Sequence, residues 1–286
     1  MQKLTSILAV LDETASPGMV LHKAVELARC FDAHLEVLVI EPLMDAKIVP
    51  QCDASGYADL RVRVVSRSGR SLESVILDVV DEQKTDLVIK ARAGEHAVRR
   101  AALPGNDWRL SQHCPVPLML VTSRPWSHAL RLAAAVDVSD GDTLREARAV
   151  MQAAGFLALG CRGNLDILYT EREDRDETLR MERAVRLAQL VREFHVGCER
   201  LQMFDGNPEQ RLPPLIASRQ YDVLVLGAVT HHTGLVDSLW SLTSRLVDAT
   251  PGDVVLVKSD RAQQREKLVA AGSVGEQVPH QGHQFV

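Results

Sequence analysis

Two kinds of apolar spacing alternate along this chain. Short unbroken runs rich in Val, Ile and Leu have the length of strands buried on both faces. Between them lie longer segments in which apolar residues return every three to four positions, as on one side of a helix. The runs predict strands at Ile7–Leu11, Leu35–Ile40, Arg61–Val65, Asp86–Lys90 and Leu118–Val121, then at Leu132–Val136, Leu165–Tyr169, Glu199–Phe204, Asp222–Leu226 and Val254–Val257. Strands that alternate with helices in this way predict parallel sheets covered on both faces.

Helix starts support the same layout. Ser16-Pro17 and Asn207-Pro208 each set a side-chain acceptor before a proline, the arrangement of an N-cap followed by the first helical residue. Thr143 with Glu146 predicts a capping box. Val20, Ala24, Leu27 and Phe31 form a stripe on the first helix, and Ala184, Leu187, Ala188 and Val191 form one on a helix between the second and third strands of the second half. The matching stretch of the first half is shorter and holds Pro42, Pro50 and Gly56, so its helix is expected to be reduced or absent. One face of the first sheet is then thinly covered, and the other lobe, a ligand or a protein partner would have to cover it.

The pattern also repeats on a larger scale. The segment from Asp86 to Val121 returns in degenerate form from Asp222 to Val257, with DLVIKA and CPVPLMLV answered by DVLVLGA and PGDVVLV. A repeat of this length means a duplicated domain. The expected division is a first domain over 1–123 and a second over 129–260. The linker Thr122–His128 is too short for the two to move independently. Residues 261–286 lack a sustained apolar period and predict a flexible tail, where His280 and His283 stand without the further ligands a metal site needs.

With 286 residues and 46% apolar content, the chain can bury two cores of ordinary size. Its formal charge of −5 argues against a nucleic-acid partner, because affinity for phosphate backbones rests on basic charge. No apolar run approaches the roughly 20 residues that cross a bilayer, and the start lacks the basic-then-apolar layout of a secretory signal. A cytoplasmic protein without membrane insertion is therefore expected. The five cysteines (Cys30, Cys52, Cys114, Cys161, Cys198) are scattered without a C-x-x-C pair, so they read as small buried hydrophobes rather than a disulfide framework or zinc cluster. There is no G-x-S-x-G, no H-E-x-x-H and no intact G-x-x-x-x-G-K-[ST], which favours a non-catalytic protein.

Several of these features together resemble the universal stress protein family. Each half begins with an apolar strand ending in Asp, at Asp12 and Asp137, and closes on a proline-containing approach to its last strand. LPGNDWRLSQHCPVPLMLV in the first half and TGLVDSLWSLTSRLVD in the second are similar to the repeats of the tandem, UspE-type members. The resemblance runs from about Leu4 to Asp260. It implies two Rossmann-like, adenine nucleotide alpha hydrolase-like sandwiches in tandem, each a five-stranded parallel sheet in the order 3-2-1-4-5. It also implies that Leu118–Val121 pairs antiparallel with Val254–Val257, an internal pseudo-dimer on which a higher homo-oligomer can build.

The resemblance carries a ligand expectation as well. Nucleotide-binding members have G-x-x-G, nine residues and then G-S/T after the fourth strand, where glycines admit phosphates and amides at a helix start attract them. In the first half this run reads Ala91-Arg92-Ala93-Gly94 and then Pro104-Gly105, so the first glycine is lost and Pro104 removes a backbone donor, while Arg92, Arg99 and Arg100 leave the loop basic. In the second half it reads Gly227-Ala228-Val229-Thr230 and then Trp240-Ser241, with Thr233-Gly234 displaced by one position and an indole where a phosphate would approach. The candidate site for ATP or AMP is therefore Asp137, Ser139, Gly227, Gly234 and Ser241, with Asp12 and Gly94 as its eroded counterpart. Either Asp has a second reading, as the cap of the loop that follows it. His231-His232 lies at the same edge without a third group for a metal or a general base. Three functions stay open: a ligand-sensing or interaction module in stress tolerance, adenine-nucleotide binding in the second domain, or an apolar-ligand or protein-partner surface on the first.

Overall fold

The computed structural model describes residues 4–12, 17–40, 59–67, 71–92, 105–171, 176–194, 198–219, 221–228 and 236–259. The first half runs β1 (Ser6–Leu11), α1 (Pro17–Phe31), β2 (His34–Ile40), β3 (Val62–Arg67), α2 (Leu72–Gln83), β4 (Leu87–Ala91), α3 (Gly105–His113) and β5 (Leu118–Val121). The second runs β6 (Arg131–Ala135), α4 (Gly141–Gly160), β7 (Asn164–Glu171), α5 (Glu177–Phe194), β8 (Cys198–Asp205), α6 (Pro208–Arg219), β9 (Val223–Gly227), α7 (Val236–Ala249) and β10 (Asp253–Val257). Every strand expected from the apolar runs is present, its ends displaced by a residue or two. The expected reduced helix of the first half and the tail lie outside the described residues.

The strands form one ten-stranded sheet in the order β3-β2-β1-β4-β5-β10-β9-β6-β7-β8. Neighbours are parallel throughout except at the centre, where Leu120, Met119 and Leu118 of β5 face Val254, Val255 and Leu256 of β10 in antiparallel register. Each half thus keeps the order 3-2-1-4-5, and the last strand of each removes the open edge of the other. Alternating side chains build two cores, divided by sheet face rather than by half. Ile7, Ala9 and Leu11 join Leu132, Ala134, Ile167 and the inner sides of α1 and α4 on one face. Leu8, Val10 and Val88 join Leu224, Leu256, Ile76 and Ile216 on the other. The expectation of two cores holds, but each is shared by both halves.

The repeated Asp that opens each fourth strand has a structural task. Asp86 Oδ2 accepts the Thr5 and Ser6 backbone N–H groups at 2.8 and 3.0 Å, and Asp222 accepts those of Ser127 and Arg131 at 3.2 and 2.9 Å. Both carboxylates tie the start of a first strand to its neighbour, which accounts for their return in the repeat.

Two expectations need correction. The stripe on α5 is rotated: Leu187 and Leu190 are buried, with Val191 and Phe194 packed beside them, while Ala184 and Ala188 are exposed. The capping box at α4 belongs to Asp140 and Thr143. Asp140 Oδ1 accepts the Thr143 N–H at 2.8 Å and Thr143 Oγ1 accepts the Asp140 N–H at 3.0 Å, which leaves Glu146 free to turn inward.

Charged side chains cross the seam between the halves. Lys23, on the buried side of α1, donates at 2.8 Å to both the Thr122 carbonyl and Asp253 Oδ1. Asp253 also accepts the Thr122 N–H at 2.8 Å and the Trp126 indole N–H at 2.7 Å, so it pins the linker. Arg92 donates at 3.0 Å to the Val247 and Thr250 carbonyls at the end of α7, and Lys258 reaches the Gln112 carbonyl at the end of α3. Arg92, read from the sequence as part of a basic loop, is instead a helix C-terminal contact between halves. Among the described residues no helix is long and apolar enough to cross a membrane.

Candidate functional site

The second half opens a cleft outside the carboxyl ends of its parallel strands, where ligands sit in open α/β sheets. Its floor comes from the ends of three strands: Val136 and Asp137 after β6, Tyr169 and Thr170 of β7, and Leu226 and Gly227 of β9. Its walls are the first turns of α4, with Thr143, Glu146 and Val150, and side chains of α5, α6 and α7. The cleft holds about 990 Å³ of empty space including its mouth.

Three of the candidate residues meet here: Asp137, Ser139 and Gly227 all line the cleft. Asp137 takes the capping reading and also lines the cleft. Its Oδ1 accepts the Ser139 N–H at 2.8 Å and so caps the loop, while the residue still faces the cleft. Arg186 of α5 holds that loop from behind, donating to the Ser139 carbonyl at 2.8 Å. Ser241 lies in α7, beside the lining residues Leu242 and Thr243. Gly234, the His231-His232 pair and Gly94 lie outside the described residues.

Glu146 is the residue that sequence reasoning missed. Its carboxyl lies directly over Gly227, so closely that a Cβ there would collide with it. Burial pushes this carboxyl up from 4.5 to about 7, and the charges of Asp137 and Asp140 push in the same direction. Gly227 is thus required by close approach, yet the group approaching it is a carboxyl of the protein itself. The available signal was the apolar stripe of α4: Ala147 and Val150 are buried, and Glu146 sits beside them on the inward side. Arg183 supplies a cation on the α5 side and is engaged in an interaction within the protein.

The equivalent place in the first half is built differently. Lys90, fully buried in β4, has its ammonium 2.8 Å from Asp12 Oδ2 and 3.0 Å from Asp107 Oδ1 of α3. Burial alone would pull the Lys90 ammonium down, but the two carboxylates outweigh it and hold the pKa above the usual lysine value. Asp12, offered by the sequence as a ligand contact, is therefore held in an internal ion triad with only 6% of its surface exposed. In the repeat Lys90 aligns with Leu226 and Asp107 with Thr243, both of which line the second cleft. The triad thus occupies in the first half what the second half leaves open. Among the described residues no group of three or more His, Cys, Asp or Glu side chains is placed to hold a metal ion.

Fold and cleft define a duplicated α/β protein with a strand-end cleft in its second half. Residues 41–122 match the Universal stress protein family. Over 212 residues the chain is 22% identical to a universal stress protein E homolog from Haemophilus influenzae, with 68% of each protein covered. A protein of Pseudomonas aeruginosa PAO1 described as functionally unknown shares the fold at a TM-score of 0.79, 23% identical, covering 94% of this chain and 98% of that one. A universal stress protein from Archaeoglobus fulgidus shares it at 0.65, 16% identical, covering 91% and 98%. The chain is thus similar to universal stress proteins in part of its sequence and in its fold, and its two-lobed layout is consistent with the tandem type.

Proposed function

We propose that this protein is a non-catalytic, ligand-sensing member of its family acting in stress tolerance, and that its ligand enters the cleft of the second half. One observation carries this reading: at equivalent positions the first half holds a buried Asp12–Lys90–Asp107 triad, whereas the second presents an open cleft lined by Asp137, Ser139 and Gly227. The stress role itself follows from the family and from no residue in the cleft.

The lining supports the nucleoside end of an adenine nucleotide over its phosphates. Val136, Val150, Tyr169 and Leu226 offer apolar surface for a base, and Asp137, Ser139, Thr143 and Thr170 offer groups for sugar hydroxyls. Asp137, Asp140 and Glu146 gather acidic charge around Gly227, where the family resemblance would put phosphate. Isothermal titration at neutral pH with adenosine, AMP and ATP is therefore expected to give affinities that fall as phosphates are added. Asp137→Ala should weaken adenosine at least about tenfold, corresponding to about 1.4 kcal/mol. Unchanged affinity in that variant, or tightest binding of ATP, would refute the assignment, and steady ATP hydrolysis above the uncatalysed rate would refute the non-catalytic reading.

A further inference from the structure

Two cysteines meet at the seam between the halves. Cys30 lies in the last turn of α1, and Cys161 directly follows the last residue of α4. Aromatic packing brings these helix ends together: the rings of Phe31 and Phe156 stack with centroids 4.8 Å apart and planes 9° from parallel. Gly160 completes the approach, since a Cβ there would run into the Phe31 ring. This packing sets the Cys30 and Cys161 side chains beside one another, and both are free thiols. The sequence reading of buried, inert cysteines suits Cys114, but Cys30 is exposed and Cys161 is only partly covered.

The two sulfurs are not equivalent. Interaction with Cys161 lowers the Cys30 thiol to about 7, against burial and the charge of Glu26, which push it up. The same interaction, together with burial, pushes the Cys161 thiol up. Near neutral pH Cys30 therefore supplies thiolate, the nucleophilic form, on the solvent side, and Cys161 keeps its proton.

We propose that Cys30 and Cys161 form a peroxide-responsive dithiol whose oxidation ties the two halves of the chain together through a disulfide. The oxidant is hydrogen peroxide or an organic hydroperoxide. The Cys30 thiolate attacks one peroxide oxygen, the O–O bond breaks, and the departing hydroxide takes up a proton to leave as water (an alcohol from a hydroperoxide). Cys30 is left as a sulfenic acid. The Cys161 sulfur then attacks the Cys30 sulfur, the S–O bond breaks, and the hydroxyl leaves with the Cys161 proton as water while the S–S bond closes. Two electrons pass from the thiol pair to the peroxide, and an external dithiol reverses the step.

The test uses the full-length protein, treated with a small excess of hydrogen peroxide, alkylated, and mapped by mass spectrometry without reduction. The expected product is one intramolecular cross-link joining the Cys30 and Cys161 peptides, with loss of two of the five thiols and full recovery in dithiothreitol. Cys161→Ser should instead leave a Cys30 sulfenic acid that dimedone traps, and Cys30→Ser should leave no trappable sulfenic acid at Cys161. A wild-type map with Cys30 and Cys161 still alkylated overturns the proposal. So does a map with Cys30 overoxidised beside a free Cys161, or with the cross-link joining two chains. The wild-type map alone decides the matter if either variant fails to fold.

Discussion

Glu146 concentrates the chemistry of the cleft in one side chain, and its raised pKa makes a prediction with a definite sign. In the unfolded chain the carboxyl titrates near its ordinary 4.5, and in the folded protein at about 7. Between those values the native state binds more protons than the unfolded state, so stability falls as pH rises across the window and levels off above it. Glu146→Gln removes that slope. At pH 8 the variant should be more stable than wild type by about 3 kcal/mol, taking 1.36 kcal/mol per pKa unit, while near pH 4 the two should converge. Urea unfolding at pH 5 and pH 8 measures the difference, and an equal pH slope in both proteins would sink the account. The same residue bears on binding. A ligand that brings negative charge to Gly227 should bind better at pH 6, where Glu146 is largely protonated, than at pH 8.

At the level of elements, α4 links most of the features of the second half. Its first turn is closed by the reciprocal Asp140 and Thr143 hydrogen bonds, its inner side carries Glu146 into the cleft, and its last residue meets Phe31 of the first half. Asp140→Ala should cost about 1 kcal/mol in unfolding free energy through loss of the cap. It should also lower the pKa of Glu146 by removing a neighbouring charge, an effect visible as a shift of the pH window described above. A variant with wild-type stability would show that another group satisfies the helix start. The ends of α1, α2 and α4 share a second device. Asp32, Lys84 and Arg162 each take a left-handed conformation near φ 50°, and the next residue donates back to Ala28, Val80 and Ala158. None of the three is glycine, so this closure left no mark that could be read along the chain.

For the molecule as a whole, the decisive contacts cross the seam. The β5–β10 pairing makes one sheet of two, and Asp253 joins α1, the linker and β10 through Lys23, Thr122 and Trp126. Asp253→Ala leaves the Lys23 ammonium buried beside an empty site, and the expected loss is about 3–5 kcal/mol. Lys23→Met combined with Asp253→Ala should recover much of it, because the pair is then replaced by apolar volume rather than broken. Denaturation of the two single variants and the double variant measures the coupling, and strictly additive losses would count against a paired role.

The order within each half and the antiparallel meeting of β5 with β10 were implied by the family resemblance; what the sequence determined by itself was the ten strands and their duplication. These are legible because burial of a strand or helix face is a local, repeated demand that leaves a periodic trace in the chain. Asp137, Ser139 and Gly227, put forward by the family resemblance, stand at or just beyond strand ends, and the fold brings them to one cleft. The tertiary structure decided the rest, and nearly all of it involves charge or sulfur. Lys23 and Lys90 interrupt apolar stretches, and only the fold places Asp253, Asp12 and Asp107 beside them. Arg92 reads as part of a basic loop until the end of α7 is placed against it. Cys30 and Cys161 read as isolated until the two helix ends meet. A buried ion is tolerated only where its partner is, and a thiol is altered only by what touches it. Those partners lie as far as 230 residues away in the chain, beyond the reach of any local pattern.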